Sequence, residues 1–412
     1  MSGVRPPVGS RSNPGLVPGR AWRFIVILGA VSLLADVTYE GARSIAGPFL
    51  GALGAGGTAV GVVSGLGEMV GYLLRLPFGW LSDRTGRYWT LTITGYAINL
   101  LAVPLLALAD RWEVAAGLLV LERFGKAVRS PARDAMLSHA TTSVGHGRGF
   151  GVHEAMDQIG AMTGPLIVAA VLYTGGDERT GFATLLVPAV LALGVLVLAR
   201  ALYPRPRDLE PAGAVLRPEG FSRVFWIYLA ASAAMAAAVA DFPLIAFHLG
   251  RTSTIPAPWI PTLYALAMGV DAVAALLFGR WYDRRGLGVL PVVALLSAGY
   301  APLVFLGDRA LVVAGMVFWG VSIGAQESVM RAAVAGMVPS DRRGTAYGVF
   351  NGGFGIAWFL GSAILGVLYD TARPMLIGFA VGMSLLATLG MVAAHRAMER
   401  PRSMGNSPLP SG

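Results

Sequence analysis

Cysteine is absent from the chain of 412 residues, which excludes disulfide bonds, a thiolate nucleophile and a cysteine-based metal site. Charge is scarce as well: charged residues make up 13% of the chain, about half of the roughly 25% found in soluble domains. A soluble protein of this size would lack the polar groups needed to cover its surface. Because 55% of the residues are hydrophobic, intrinsic disorder is also excluded. The remaining class is a membrane protein that crosses the bilayer many times.

A helix needs about 20 mainly apolar residues to cross a bilayer. The chain contains twelve apolar runs of about this length, separated by charged loops. The first six predicted spans lie near residues 22–50, 58–81, 88–108, 112–137, 149–173 and 180–202. The second six lie near residues 222–249, 257–281, 288–307, 310–338, 344–369 and 374–396. We therefore predict an all-α membrane protein with twelve transmembrane helices.

Arginine is distributed unevenly between the two sides of the predicted spans. Most arginines lie in the termini and one set of loops, whereas the opposite loops hold only Arg111, Arg179, Arg251, Arg309 and Arg373. The positive-inside rule then places both termini in the cytoplasm, with the protein in the cell (inner) membrane. This topology accounts for the net charge of +9, so we expect no nucleic-acid partner. The N-terminal segment has no apolar region followed by a cleavage site, so we expect no cleaved signal peptide.

The two halves of the chain resemble each other in sequence. GWLSDRTG (79–86) follows the second predicted span, and GRWYDRRG (279–286) follows the eighth, 200 residues later. RGFG at Arg148 opens the fifth span, and RGTAYG at Arg343 opens the eleventh. We infer two pseudo-symmetric six-helix bundles. The predicted segments are a disordered cytoplasmic N-terminus (1–21), the first bundle (22–202), a cytoplasmic linker (203–221), the second bundle (222–397) and a cytoplasmic tail (398–412).

The pattern G-x-x-x-D-R-x-G after the second span resembles the signature loop of the major facilitator superfamily, a family of secondary transporters. Its residues are Gly79, Asp83, Arg84, Gly86 and Arg87, with a second copy at Gly279, Asp283, Arg284 and Gly286. The resemblance implies that Asp83 caps the N-terminus of the eleventh span near Gly344, where the helix dipole favours an anion. These residues would then form a cytoplasmic gate between the halves. A capped loop without a gating role is the alternative.

The fifth predicted span contains Gly160, Gly164 and Pro165. This arrangement is similar to the core of the G-x-x-x-G-P motif of drug–proton antiporters. The resemblance implies a helix kink at these residues and favours export as the direction of transport.

Ionisable residues inside predicted spans are costly unless they are paired or hydrated, so each one marks a candidate site. Asp36 and Glu40 are four residues apart in the first span and share a helix face, and Glu68 lies near the middle of the second. Desolvation and mutual repulsion favour the protonated form of such carboxyl groups, so one of them could carry a proton. Glu327 is the candidate in the second half. Static ion pairs with neighbouring arginines are the alternative.

The fourth predicted span contains basic residues at the same depth as acidic residues of the fifth. We therefore predict an inner network of ion pairs between them, with a structural or gating role. These residues are Lys126, Arg129, Arg133, Glu154 and Asp157. The family resemblance implies a central cavity lined by the first, fourth, seventh and tenth spans. Candidate substrate contacts in this cavity are Tyr39, Arg123, Trp226, Asp241, Trp319 and Gln326.

These features together predict a secondary active transporter that works by alternating access. The first hypothesis is proton-coupled efflux of a small amphiphilic compound, and the alternative is uptake of a small metabolite or chelate. A polytopic membrane enzyme or a passive channel would be a different class, and no catalytic cluster supports an enzyme. We expect no cofactor and no metal site. The expected partners are a small-molecule substrate, protons and the lipid bilayer, and we expect the protein to function as a monomer.

Overall fold

The computed structural model describes residues 18–141, 144–204, 221–338 and 343–399 of the chain. The described residues form helices joined by short connections, and no β-strand occurs among them. The all-α class predicted from the apolar runs is therefore confirmed. Most of the predicted linker and of both predicted tails lies outside the described residues.

The helices of the two halves follow one another in simple order along the chain. In the N-terminal half they are α1 (Pro18–Ala52), α2 (Gly57–Leu73), α3 (Arg75–Thr85), α4 (Tyr88–Leu105), α5 (Trp112–Thr141), α6 (His146–Tyr173), α7 (Glu178–Thr184) and α8 (Leu186–Leu202). In the C-terminal half they are α9 (Arg223–Ala238), α10 (Phe242–Thr252), α11 (Trp259–Arg285), α12 (Leu290–Ser297), α13 (Tyr300–Leu306), α14 (Arg309–Met337), α15 (Arg343–Thr371) and α16 (Arg373–Glu399).

Ten stretches of the described residues are long and apolar enough to cross a membrane. One of them, Trp259–Leu306, has 48 residues, which is enough for two crossings. Helix α5 is not among the ten, because its apolar sequence is interrupted by a run of charged residues. Twelve crossings therefore require two passes through Trp259–Leu306 and one through α5, and that count stays a prediction.

Small residues allow α1 and α6 to pack closely. A Cβ atom on Gly164 would approach the Gly41 nitrogen to 2.9 Å, and one on Gly160 would approach the Cβ atom of Asp36 to 2.9 Å. Only glycine permits such an approach between two helix backbones. Helix α6 is assigned as one continuous helix through Pro165, so the role visible for these glycines is packing, and the kink stays a prediction.

Helices α2 and α15 run antiparallel in close contact and define the two ends of the molecule. At one end, called here the Asp370 end, the first residues of α2 contact Tyr369 and Asp370 of α15. At the other, called the basic end, Leu76 lies beside Gly348 near the start of α15. Helix α3 ends here, and so does α11, whose last residues are basic.

Both copies of the repeated glycine pattern end a helix at a glycine with positive φ, although ψ is 19° at Gly86 and −141° at Gly286. Gly86 follows α3 with φ of 59°, and Gly286 follows α11 with φ of 58°. Positive φ angles strain residues that carry a Cβ atom, so glycine is favoured at both positions. The Gly86 amide also donates to the Ser82 carbonyl at 2.8 Å and completes the last turn of α3. The sequence repeat thus corresponds to a repeat in local structure.

The seventh predicted span is interrupted, whereas the sequence predicted one helix over residues 222–249. Helix α9 ends at Ala238, and α10 begins at Phe242 after Asp241, which has extended backbone angles. Tyr300 accepts from the Ala240 amide at 2.7 Å and donates to the Ala238 carbonyl at 2.9 Å. Trp319 donates to the Ala240 carbonyl at 2.9 Å. Backbone groups freed by the break therefore find partners inside the protein, as a helix broken in a membrane requires.

Candidate functional site: a charged cavity between the two halves

A cavity of about 460 Å³ lies between the two halves of the chain. This volume is within the range of small-molecule sites. The lining residues of α5 run from Arg123 to Asp134, so the cavity extends from mid-membrane depth toward the basic end. Beyond its deep end, Gly47 and Gly51 of α1 pack against Pro243 and Phe247 of α10.

The N-terminal half contributes a charged wall to this cavity. Its acidic lining residues are Asp36, Glu40, Glu68, Asp134, Glu154 and Asp157. Its basic lining residues are Arg43, Arg75, Arg123, Lys126, Arg129 and Arg133. Positive and negative side chains are thus present in equal number, so this wall is highly polar but not strongly acidic.

The C-terminal half contributes a mainly apolar and aromatic wall. Its lining residues are Tyr264, Met268, Asp271, Ala275, Leu276, Trp319, Ile323 and Trp358. Asp271 is the only charged residue among these described lining residues, and the side chains of Glu327 and Arg331 are outside the description. Both indole N–H groups have partners inside the protein, because Trp319 donates to the Ala240 carbonyl and Trp358 donates to Asp241 at 3.3 Å. The cavity is therefore two-faced, with charge on one side and aromatic surface on the other.

Arg43 links the two halves at the deep end of the cavity. Its guanidinium group forms an ion pair with Asp241 of the C-terminal half and a second with Glu68 of α2 at 3.2 Å. Glu68 also lies 3.4 Å from the guanidinium group of Arg123. Asp241 is 2% exposed, and the break between α9 and α10 places it at the N-cap of α10. One partly buried cation, Arg43, thus connects the helix break to Glu68 of the first half.

Glu40 forms a second polar link between the halves at the cavity. The Tyr264 hydroxyl of α11 donates to its carboxylate at 2.5 Å. Unlike Glu68, Glu40 forms no ion pair with an arginine or lysine among the described residues. Asp36, one turn earlier on α1, lines the cavity beside it. These two carboxyl groups face the region where the halves meet.

The Arg123 side chain is held in place by its neighbours on three helices. Its Nε atom lies 3.2 Å from Glu122, and Glu122 accepts from the Asn99 amide of α4 at 2.6 Å. A Cβ atom on Gly67 would come within 3.0 Å of the Arg123 Cγ atom, so glycine makes room for this arginine. Arg123 and Tyr39 lie at the cavity as the sequence predicted, and their predicted role as substrate contacts stays a prediction.

Near the basic end, α1 connects the polar residues of α5 and α6. Arg133 pairs with Asp134 on its own helix at 2.8 Å, and it donates to Ser32 of α1 at 2.9 Å. Ser32 also contacts His153 at 3.1 Å, and His153 lies 3.4 Å from Asp157. Arg133 and Asp157 thus have partners on their own helices, and the predicted network of ion pairs between α5 and α6 stays a prediction. Glu154 and Arg129 line the same cavity.

Some predicted site residues lie elsewhere. Trp226 is 50% exposed in the first turn of α9 and contacts Phe221 and Phe225, so it does not reach the cavity. The sequence could not show this, because an aromatic residue near a helix start looks the same in a cavity or at the membrane surface. Gln326 lines a smaller adjoining cavity of about 30 Å³. The side chain of Glu327 lies outside the described part of the structure.

The predicted gate at the basic end has exposed charged residues on both copies of the pattern: Asp83, Arg84, Arg87, Asp283 and Arg284. Gly79 and Gly279 lie within α3 and α11. The side chains around Gly344, the predicted contact of Asp83, are outside the described part of the structure. The gate therefore stays a prediction.

At the Asp370 end, opposite the predicted gate, a carboxylate of the C-terminal half caps a helix of the N-terminal half. Asp370 of α15 accepts from the Gly57 amide at 2.9 Å and the Thr58 amide at 2.7 Å, at the start of α2. The Thr58 hydroxyl donates to the same carboxylate at 2.8 Å. An anion at a helix N-terminus satisfies free N–H groups and the helix dipole. The Asp370 end thus contains the type of contact that the sequence predicted for the other end.

Three important residues were not singled out from the sequence: Tyr264, Trp358 and Asp370. The two aromatic residues stand alone in apolar runs and carry no pattern that separates a cavity wall from lipid contact. Asp370 closes an apolar run just before a loop, where an acidic residue is ordinary. The break at Asp241 had a signal, because Asp followed by Phe242 and Pro243 is a typical helix start.

A family model matches the chain over residues 28–362 and again over 224–411, and its description is the Major Facilitator Superfamily. The chain belongs to this superfamily. The resemblance noted at the glycine pattern is therefore confirmed, and the protein is an integral membrane transporter by family and fold.

Relatives of this superfamily member cover almost its whole length. It is 43% identical over 380 residues to an uncharacterised protein of Mycobacterium tuberculosis (strain H37Rv), covering 90% of this chain and 93% of the relative. It is 24% identical over 394 residues to an uncharacterised MFS-type transporter of Methanocaldococcus jannaschii, covering 89% and 93%.

Solved structures of the superfamily share its fold at low sequence identity. A variant of the nucleoside transporter NupG matches with a TM-score of 0.74 at 13% identity, covering 90% of this chain and 99% of that one. A peptide transporter POT in complex with sulfate matches with a TM-score of 0.73 at 15% identity, covering 92% and 95%. These similarities establish the fold of this chain.

Proposed function

We propose that this transporter exports a small amphiphilic compound in exchange for protons. The observation that carries the proposal is the two-faced cavity between the halves, which offers charged groups on one wall and aromatic groups on the other. An amphiphile, with a polar head and an apolar body, is the solute that uses both walls. Superfamily membership supports transport by alternating access around this cavity.

Glu40 is the best candidate for the proton carrier. It lies where the halves meet, and its partner is the neutral hydroxyl group of Tyr264 rather than a cation. Adding a proton to Glu40 therefore breaks no direct ion pair. Asp36, Glu68 and Glu327 remain candidates, although Glu68 would give up contacts with two arginines on protonation.

The arrangement of cross-half contacts supports a cycle with two states. In this structure Asp370 caps α2, and the Arg43–Asp241 pair joins the halves deep in the cavity. Opening the Asp370 end would require both contacts to break. A change of charge at the central carboxyl groups can shift such an equilibrium, provided that the two states bind the proton differently. By the arginine distribution, the basic end faces the cytoplasm, so the compound would enter the cavity from inside the cell.

Uptake of a small polar metabolite is the second candidate. The charged wall of the N-terminal half supports it, and fold relatives include transporters described for nucleosides and peptides. The similarity of Gly160, Gly164 and Pro165 to the antiporter motif favours export instead.

Inverted membrane vesicles that contain the protein distinguish the two directions. A proton gradient, acidic inside, is imposed, and accumulation of a panel of amphiphiles and polar metabolites is measured. Export from the cell corresponds to accumulation inside the vesicles, and we expect collapse of the gradient to abolish it. Vesicles with Glu40→Gln should lose proton-driven accumulation, whereas Glu178→Gln, a change in the first turn of α7, should leave it intact. If solutes accumulate only in right-side-out vesicles, or regardless of the gradient, the export proposal is wrong.

A further inference from the structure

Two cations in the charged wall form no ion pair with a carboxylate of the described residues. Arg43, Arg123 and Arg133 each form an ion pair. Lys126 and Arg129, which lie between Arg123 and Arg133 on α5, form none with any described residue. They are three residues apart, so they share a helix face, and both line the cavity.

Arg129 is also short of hydrogen-bond partners. Its side chain is 1% exposed, and its Nε and Nη1 atoms have no partner within the described structure. A buried guanidinium group without an acceptor is costly, and such a group in a cavity wall is a candidate ligand contact.

Aromatic rings hold these two cations in place without neutralising them. The Lys126 Nζ atom lies 4.1 Å from the centre of the Tyr39 ring. The Arg129 guanidinium carbon lies 4.2 Å from the Tyr96 ring and 5.8 Å from the Tyr39 ring. Cation–π contacts of this kind orient a positive charge and leave its capacity to bind an anion.

The nearby acids make no direct ion pair with these two cations in the described structure. Asp36 and Glu40 line the same cavity, yet neither lies within ion-pair distance of Lys126 or Arg129. Asp157 contacts His153 instead. The two cations therefore have room for an oxyanion, while the opposite wall offers Trp319, Met268 and Ile323 to an apolar body.

We infer that the transported amphiphile is an organic anion, with its carboxylate or sulfonate head on Lys126 and Arg129 and its body against the aromatic wall. This inference rests on the proposed function and names its substrate class. Charge-assisted hydrogen bonds from two cations are strong and geometrically selective. A cationic amphiphile of the same shape would meet two like charges instead.

The test uses three ligands that share a ring system and differ in charge: 2-naphthoate, 2-naphthylmethanol and 2-naphthylmethylammonium. Binding to the purified full chain in lipid nanodiscs is measured by titration calorimetry, and empty nanodiscs correct for partition into lipid. We expect 2-naphthoate to bind at least about tenfold more tightly than either of the others, a difference of about 1.4 kcal/mol.

Variants locate the site. Lys126→Gln and Arg129→Gln should each weaken 2-naphthoate binding by about tenfold, while Lys126→Arg and Arg129→Lys retain most of it. Arg111→Gln removes the same charge from an exposed position and should change nothing. Because Arg129 is buried, size-exclusion chromatography checks that each variant folds. The variants Lys126→Gln and Lys126→Arg test the inference independently of Arg129.

Three results would overturn the inference: binding of none of the three ligands, equal binding of all three, or a preference for the ammonium compound. Such a result would leave proton-driven transport in vesicles untouched, so the proposed function would stand with another substrate class. Conversely, absence of proton-driven flux in the vesicles would remove the proposed function without altering the measured binding ratios.

Discussion

The two halves of this transporter share a repeated local structure but line their common cavity with different chemistry. Among the residues that the structure describes, the N-terminal half supplies six acidic and six basic lining residues, and the C-terminal half supplies aromatic and apolar side chains with Asp271. Gly86 and Gly286 show that the repeat persists where the helices end. A fold built from two similar halves can thus assign charge to one and apolar contact to the other. The experiments below test whether this division accounts for transport.

The largest effect on stability and transport is expected at the ion pair between Arg43 and Asp241, which joins the two halves. Asp241→Asn leaves Arg43 without its cross-half partner, and Arg43→Gln leaves Asp241 as a buried charge. Losing one member of a buried ion pair costs about 3–5 kcal/mol, so both variants should have a lower melting temperature and less than about a tenth of wild-type transport.

The double variant Arg43→Gln/Asp241→Asn is the matched control, because it leaves no unpaired charge at this position. Its melting temperature should recover part of the loss, while transport stays low. Single variants as stable and active as the wild type would show that the pair has no part in joining the halves.

A smaller but more specific effect is expected at Glu40. Glu40→Gln keeps an acceptor for the Tyr264 hydroxyl but cannot take up a proton. Substrate exchange without a gradient should persist, while accumulation driven by a proton gradient should fall at least about tenfold. The measurement compares both modes in proteoliposomes.

Tyr264→Phe serves as the control for Glu40→Gln, because it removes the hydrogen bond and retains the carboxyl group. Proton-driven accumulation should survive in this variant. If Glu40→Gln accumulates substrate as the wild type does, the carrier is another carboxyl group.

The Asp370 end allows a test of the contact that holds the halves together outside the cavity. Asp370→Ala removes the cap of α2, and helix caps contribute about 0.5–2 kcal/mol. The equilibrium should shift toward opening at this end. A cysteine introduced at Gly250, which lines a crevice at this end, should react faster with a maleimide, because the chain has no cysteine of its own.

Asp177→Ala is the matched control for Asp370→Ala. Asp177 also caps a helix, accepting from the Thr180 amide at 2.8 Å, but within the N-terminal half. It should leave maleimide labelling unchanged. Equal labelling rates in the wild type and in Asp370→Ala would show that the cap does not hold this end shut.

The smallest effect on stability and substrate affinity is expected from a substitution in the aromatic wall. Trp319→Phe keeps a ring in the cavity but removes the N–H that donates to the Ala240 carbonyl beside the helix break. A buried acceptor left without its donor costs about 1–3 kcal/mol, so the melting temperature should fall modestly and substrate affinity little. Loss of affinity as large as that of Lys126→Gln would mean that the aromatic wall recognises more than an apolar body.

The sequence predicted the class, the family and many of the charged residues that line the cavity, because each rests on local information. Apolar runs, glycine patterns and charges at membrane depth can be identified without knowledge of the tertiary structure. The partners could not be predicted in the same way. Nothing in the sequence shows that Arg43 reaches Asp241 or that Tyr264 reaches Glu40, since these contacts depend on how two distant segments pack.

The predicted gate also shows that the sequence does not reveal which distant residues come into contact. For Asp83 the sequence predicted a carboxylate of one half at a helix N-terminus of the other half. The structure displays it at Asp370, where no motif marks it, and the side chains around Gly344 that would test the Asp83 contact are not described. The chemistry of a residue indicates which type of contact it can make. The position of that contact depends on how the helices pack.

The most direct test of the account measures the two ends of the molecule together. Spin-label pairs at introduced cysteines, Ala52 with Thr371 at the Asp370 end and Thr85 with Arg285 at the basic end, report distances between the halves by double electron–electron resonance. The account predicts that acidification, or addition of a transported compound, changes the two distances in opposite directions. Distances that stay fixed, or that lengthen and shorten together, would contradict proton-coupled alternating access around this cavity.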